Sequence, residues 1–421
     1  MDASYRKPPV LAIEDLGLEL GELRGDPIES LARFGAQLVL TSYLEAEVSA
    51  HLGAAAYERA PARRGSRNGK RTRRVTCGVG SVEIDFPKVR GAESPFRSEL
   101  LAAWQRTSRS LTAMLPSLYV EGLSTRDFAR ALRPLHDGAG LSRSTVSRAN
   151  EQIKAAFDAW RRRSLAEEEI VYLFLDGHFQ GLRMGTKEKE ALLVAHGITK
   201  AGKRAFLGVY VGGRESTEAW KLALEDLTER GLRRPLLVIG DGNAGLIRAV
   251  KDIWPTAARQ RCVAHRIRNV LARVPKKDQK RVREALNRIF YANSLDEAMA
   301  AARGFAGRWQ NVFPAAVETL GRDLADCLTF FRFPPRHWRR LRTSNILERS
   351  FEEVKRRTRV IRRFPNERAA VSLVWSVLDH DAAKWRGMIM DAPHWELVQS
   401  AVRSLAADPI VVRGFEEILA A

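Results

Sequence analysis

Two apolar runs in the middle of the chain end in the same way, and no other feature restricts the fold so strongly. Residues 170–175 (IVYLFL) are followed by Asp176 and Gly177, and residues 235–239 (PLLVI) by Gly240, Asp241 and Gly242. Apolar runs of this length, without polar alternation, read as strands buried on both faces. Residues 190–199 and 205–211 are two more β-rich runs, 216–230 and 244–254 have helical spacing, and 259–264 reads as a short strand. Three strands, a helix, a strand, a helix and a strand make an α/β order, with the first and fourth strands expected side by side.

If those two strands are neighbours, Asp176 and Asp241 converge, and like charges held together call for a cation between them. The glycines beside them let the backbone turn and leave room for a phosphate. Asp-Gly is also a hairpin signal, which fits Asp176 about as well, because more strands follow it. It fits Asp241 poorly, since a helical segment begins three residues later.

A third acid comes from the segment 343–357. Ser344 or Asn345 can cap a helix whose Leu347, Phe351 and Val354 face a core at i, i+4 and i+7. Glu348 lies one step from that apolar face, in the first turn. From Arg332 to Arg363 there are twelve Arg or Lys and three acids, so an acid here has unusual company. The plainer alternative is that Glu348 only pairs with neighbouring arginines. Arg349, Arg356, Arg357 and Arg359 are expected phosphate ligands, and Trp338, set among arginines, is a candidate for stacking on an unpaired base, although a core tryptophan is the commoner outcome.

The formal net charge of +20 over 421 residues makes nucleic acid the first partner to consider. Charge is concentrated in blocks. Residues 61–74 hold seven basic residues and no acid; with Gly65, Ser66, Asn68 and Gly69 this reads as a flexible basic arm in which Arg63, Arg64, Arg67, Lys70 and Arg71 meet phosphates. Residues 75–89 alternate as strands do, 100–118 return to helical spacing, and two helices starting near Ser124 and Ser142 resemble a helix-turn-helix. Their connection, 133–140, is longer than that motif usually has, so Arg143 and Arg148 are only candidates for reading DNA.

Three widely spaced cysteines, Cys77, Cys262 and Cys327, give no disulfide framework, and no export signal or membrane-length apolar run is visible. A soluble protein of the reducing cytoplasm is expected. Cys262 and His265 have the spacing of half a zinc site, but no second half is present, so a packed thiol and a hydrogen-bonded histidine are expected instead. Beyond Pro275 the pattern is helical to about Leu328, with a helix capped by Ser294. No Walker or H-E-x-x-H sequence occurs, which disfavours nucleotide hydrolysis and zinc proteolysis.

Taken together, Asp176-Gly177, Asp241-Gly242 with Gly245 and Leu246, Gln260 with Cys262, His265, Arg268, Asn269 and Val270, and Ser344-Asn345 with Glu348, Arg349, Arg356, Arg357, Thr358, Arg359, Phe364 and Pro365 resemble the mutator-type transposases of bacterial insertion sequences. The resemblance spans roughly residues 67–378. It implies a ribonuclease-H-like catalytic core, whose strand order the α/β pattern shares, with an all-α insertion between the second Asp and the Glu. Asp176, Asp241 and Glu348 would then be catalytic metal ligands, with spacings of 65 (241 − 176) and 107 (348 − 241) residues. The family often has a Lys where this chain has Gly181.

The implied organisation is a mixed, largely helical DNA-binding region at 1–165, a catalytic domain beginning at 166–270, the helical insertion at 271–340, the closing catalytic helices at 341–385 and a helical tail at 386–421. The implied reaction is DNA strand cleavage and strand transfer with two Mg²⁺ ions, or Mn²⁺ in their place. The implied partners are terminal inverted repeats and target DNA, bound by a homodimer or higher oligomer. A non-catalytic DNA-binding regulator and a ribonuclease-H-like nuclease without strand transfer are the alternatives.

Overall fold

The computed structural model describes residues 26–102, 105–111, 113–114, 143–180, 190–212, 216–359, 364, 366–382, 386–408 and 410–411, in two compact units. The first is built on a long helix, α1 (Pro27–Leu52), and a hairpin of β1 (Ser66–Cys77) and β2 (Gly80–Arg90). Asp26 caps α1 by accepting from the Ile28 N–H at 2.9 Å, and Pro27 follows at the first helical position, where a missing N–H costs nothing. Gly53 ends the helix at φ 66°. In β2, Val82, Ile84 and Phe86 alternate inward and pack with Leu44, Val75 and Leu101.

The basic segment is no loose arm from Ser66 onward: it is strand β1, paired along its length with β2. Arginine and lysine can occupy a strand when one face and one edge stay in water, and here the acids of α1 help, with Glu45 pairing with both Arg67 and Lys70 at 3.5 Å. Residues 100–102 and 105–108 are not helical as their spacing implied, and Thr107 makes a bridge to Thr76, whereas 109–111 and 113–114 are helical. The helix-turn-helix connection and its first helix lie outside the described residues. From Arg143 the chain is one continuous helix, α2 (Arg143–Arg161), where a second helix and a charged helical linker were expected.

The second unit contains a five-stranded sheet: β3 (Ile170–Gln180), β4 (Glu190–Thr199), β5 (Arg204–Gly212), β6 (Leu237–Gly240) and β7 (Ala258–Arg261), in the order β5-β4-β3-β6-β7. The first three strands are antiparallel neighbours; β6 and β7 join in parallel. A parallel neighbour requires a crossover connection, supplied by α3 (Thr217–Glu229) before β6 and α4 (Ala244–Ile253) before β7. Ser216 caps α3, accepting from Ala219 at 3.1 Å. Trp220, Leu224, Leu227, Leu246 and Val250 of these helices pack on Leu173, Leu175 and Val238 of the sheet. Trp220, 1% exposed, anchors this layer, and its truncation to Ala would cost about 3–5 kcal/mol.

Side chains alternate along β3, so Tyr172, Phe174 and Asp176 share a face. Tyr172 donates or accepts a 2.9 Å hydrogen bond with His337 and packs edge-on against Phe333. The chain after β7 supplies that packing: α5 (Val263–Leu271), α6 (Gln279–Phe290), α7 (Leu295–Trp309), α8 (Pro314–Gly321), α9 (Leu324–Leu328), α10 (Pro335–Leu341), α11 (Asn345–Thr358), α12 (Glu367–Ala382) and α13 (Ala392–Ala407). The helical reading of 276–328 holds, and Ser294 caps α7 by accepting from Glu297 at 3.2 Å. Among the described residues no strand follows Arg261. The expected strand 259–264 stops there, because Cys262 begins a helix instead. No described helix is long and apolar enough to cross a membrane.

Candidate active site

The β3–β6 ladder settles how the first two acids meet. Its register pairs Tyr172 with Leu237, Leu173 with Val238 and Phe174 with Ile239, so Asp176, two residues past the last pair on β3, and Asp241, the first residue after β6, lie at the same end of the parallel pair. Neighbouring strands lie about 4.8 Å apart. β3 does not end at Leu175 as the apolar run implied: Asp176 and Gly177 continue in the ladder opposite Val194 and Leu193 of β4. Asp176-Gly177 is therefore not a hairpin turn. It lies within a strand, just past the end of its parallel neighbour.

At the end of β6 the backbone turns sharply. Gly242 has φ 81°, a left-handed conformation that favours glycine, and a Cβ there would have to displace the Arg261 guanidinium. The Asn243 N–H donates to Asp241 Oδ1 at 2.9 Å, and the Asn243 side chain caps α4 by accepting from Gly245 at 2.8 Å. Asp241 is thus held at a strand-to-helix switch by its own local backbone.

Three bonds bring the third acid to this end of the sheet. The Cys262 N–H donates to the Gly240 carbonyl at 2.7 Å, the Val263 N–H to the Arg342 carbonyl at 2.9 Å, and the Ser344 N–H to the Cys262 sulfur at 3.3 Å. The starts of α5 and α11 are therefore tied together at the tip of β6. Ser344 occupies the cap position of α11 without a side-chain cap bond. Leu347, Phe351 and Val354 are buried as their spacing required, and Glu348 in the first turn accepts from Arg268 at 3.2 Å and lies 3.4 Å from His265 Nε2. Glu352, one turn on, pairs instead with Lys355 at 2.6 Å, and Glu353 with Arg356 and Arg357.

Asp176 is 2% exposed. Burial pushes its carboxyl well above the usual carboxylate range; His265 opposes that shift, while Asp241, Cys262 and Glu348 add to it. Among the described residues no three His, Cys, Asp or Glu side chains stand as a ready-made metal cage; Glu348 is directed to His265 and Arg268. Cys262 is a packed thiol, as its isolation in the sequence implied, whereas His265 meets Glu348 only at 3.4 Å through Nε2 and its buried Nδ1 has no hydrogen-bond partner. The Glu348 partners and the Cys262–Ser344 bond could not be read from the chain, although the Cys262/His265 spacing was the available signal.

Comparison with known proteins agrees in extent with this geometry. The family described as "Transposase, Mutator family" matches residues 23–387. The chain belongs to the Mutator family of transposases. It is 37% identical over 348 residues to the transposase for insertion sequence element ISRM5 of Rhizobium meliloti (strain 1021), covering 82% of this chain and 86% of the relative. It is 36% identical over 285 residues to that for IS6120 of Mycolicibacterium smegmatis, covering 68% and 87%. For IS256 in transposon Tn4001 of Staphylococcus aureus the identity is 32% over 343 residues, covering 81% and 87%.

Within this Mutator-family chain the basic residues divide into engaged and open ones. In the first unit Arg63 donates to the Glu58 and Gly65 carbonyls, Arg64 to Ala50, and Arg67 to Ala54, Ala55 and Ser49. Lys70 and Arg71 are more open, Arg71 lying over the Phe86 ring at 5.0 Å. In the second unit Arg357 is nearly enclosed and bonded to Glu353, whereas Arg349 and Arg359 are exposed and Arg356 pairs with Glu353 in solvent. Trp338 donates to the Phe333 carbonyl at 2.6 Å and packs edge-on against Phe331, half-buried rather than in the core. The side chains of Arg143 and Arg148 lie outside the described residues.

Proposed function

We propose that this chain is the transposase of an insertion sequence, cutting and joining DNA strands with divalent metal ions at Asp176, Asp241 and Glu348. The observation that supports the reading is that Asp176 on β3 and Asp241 just after β6 lie at the same end of a parallel pair, with Asp241 and Glu348 both within electrostatic reach of Asp176. The strand order, three antiparallel strands followed by two parallel ones, supports a ribonuclease-H-like core at 166–270 and 341–385. The helices between β7 and α11 would be the insertion at 271–340.

The residues fit a hard divalent cation. Two Asp and one Glu offer only oxygen donors, which suit Mg²⁺ or Mn²⁺. Asp176 is a buried carboxylate with mostly like charge around it, an arrangement that gains from a cation. When bound, such ions polarise the phosphodiester and activate water or a 3′-hydroxyl. The chain's own residues do the positioning: the β ladder fixes Asp176 and Asp241, α11 presents Glu348, and Arg349, Arg356 and Arg359 offer positive charge to phosphates. Terminal inverted repeats and target DNA would be bound by a homodimer or higher oligomer in the cytoplasm.

The test is a strand-transfer assay with the element's own ends and Mg²⁺. Cleaved 3′ ends and joined products are expected. DNA binding without cleavage would leave a DNA-binding regulator, and nicking without joined product a nuclease.

A further inference from the structure

Beside the three acids the second unit has a cavity of about 510 Å³ lined by Arg204, Arg339, Arg340, Arg342 and Arg349, with His196 and Tyr291 and no carboxylate. Phe174, which also lines it, is two residues from Asp176 on the same face of β3. Asn345 and Arg349 of α11 reach it from either side of Glu348 in sequence. The cavity and the acids therefore share one sheet face and one helix start.

Five guanidinium groups around one concavity repel one another. The Arg204 guanidinium is pulled down to about 10 by burial and by Arg340, and burial lowers Arg342 as well. Arg342 Nε is buried without a hydrogen-bond partner. Its guanidinium lies 4.1 Å from the Tyr291 ring centroid, on a tyrosine that is 57% exposed. Such a site gains from an anion, and the arginine-backed aromatic offers a surface for a base.

We propose that this cavity receives one unpaired nucleotide of the DNA strand being processed, its phosphate among Arg204, Arg340 and Arg349 and its base against Tyr291. This rests on the DNA-processing reading above. The volume falls within the ~300–1,000 Å³ of sites that enclose small molecules. A base inside a duplex cannot enter a concave site until it is unstacked, at a cost of a few kcal/mol. Stacking on an aromatic and charge-assisted bonds to the phosphate are the contacts that offset that cost. An unpaired nucleotide next to the acids would hold the strand in register for the reaction.

The test uses the full chain and a single-stranded oligodeoxynucleotide carrying one 2-aminopurine, with the matching duplex, a free mononucleotide and inorganic phosphate as comparisons. The parent should bind the single strand with quenched fluorescence, and the mononucleotide should displace it at lower concentration than inorganic phosphate. Arg204→Gln with Arg340→Gln should weaken single-strand binding at least about tenfold and duplex binding less than about threefold. Arg349→Gln, at an exposed position, gives the same direction without disturbing a buried group. Tyr291→Ala should remove the quenching. Arg283→Gln, on an exposed face of α6, should change nothing. Equal loss for single strand and duplex, or quenching that survives Tyr291→Ala, overturns the proposal. So does equal displacement by inorganic phosphate, which would make the cavity a phosphate site only. Failure of the parent to bind any DNA would instead sink the transposase reading.

Discussion

The two aspartates and the glutamate are held by different kinds of structure. Asp176 and Asp241 belong to the backbone: the first lies within β3 and the second just past the end of its parallel neighbour β6, where one glycine turn with an Asx bond from Asn243 holds it. Glu348 is held by its side chain, through a partly exposed pair with Arg268 and a contact with His265. A hydrogen-bond ladder admits one register where a face is buried, whereas a surface ion pair is worth at most about 1 kcal/mol and can be exchanged for another partner. The site therefore has a rigid half and an adjustable half.

The rigid half should show the largest effect. Asp241→Asn keeps shape and local bonds but removes charge from a position that cannot move to compensate. Mg²⁺-dependent cleavage should fall at least about a thousandfold, or ~4 kcal/mol of barrier, with DNA binding retained. Cleavage within about threefold of the parent would exclude Asp241 from the metal site.

On the helix side, Glu348→Gln should lower both cleavage and joining of a pre-cut 3′ end by about a hundredfold or more, since both steps use one centre. Glu352→Gln should stay within about threefold, because its carboxylate is engaged by Lys355 in solvent. The reverse pattern, under matched folding and binding, would mean that α11 presents the other acid. Assays on pre-cut and uncut ends distinguish these results.

Much of the rigid half was legible in the chain. Apolar runs of strand length, Asp-Gly endings and helical spacing on both sides imposed the adjacency of β3 and β6, and the buried face of α11 followed from Leu347, Phe351 and Val354. What could not be read depends on contacts between residues distant in sequence. Cys262 bonding the Ser344 backbone, Arg268 reaching Glu348 across 80 positions, and five arginines from β5, α10 and its end, and α11 meeting in one cavity leave no periodic trace. The conformation of the basic segment was misjudged for a related reason: its charge and turn residues read as a flexible arm, but from Ser66 onward it is strand β1, ordered by β2 and by Glu45 of α1.

The pocket side of the sheet offers an intermediate effect. His196 is fully buried, and burial first, then Arg204, pull its imidazole down to about 3. A base with a depressed folded-state pKa is neutral in the fold, so stability is complete above its unfolded value of about 6.5 and falls as pH drops from there toward 3. Asp176, raised by burial, works in the opposite sense, because protonation relieves its buried charge. Comparing the parent with His196→Gln cancels that common contribution. Between pH 7 and pH 5 the parent should lose on the order of 1–2 kcal/mol more than the variant in urea titrations; parallel losses would show that His196 takes up its proton alike in the folded and unfolded states.

The smallest effect tests whether the glutamate is adjustable at all. Arg268 is 62% exposed where it meets Glu348 at 3.2 Å, so its loss should change folding stability by less than about 1 kcal/mol. If the pair is a resting arrangement that a cation displaces, Arg268→Gln removes a competitor for the carboxylate. The Mg²⁺ concentration for half-maximal cleavage should then fall by about two- to fivefold. If Arg268 instead aims Glu348 in the working state, the same substitution should raise that concentration and lower the maximal rate. Arg268 also carries positive charge near the proposed DNA path, and its removal could weaken substrate binding. Titrating Mg²⁺ at saturating DNA separates the two contributions, since a pure DNA defect disappears there and a shift in metal requirement persists. A raised Mg²⁺ requirement at saturating DNA would mean that Glu348 is as firmly placed as the two aspartates, and the division of the site into rigid and adjustable halves would fall.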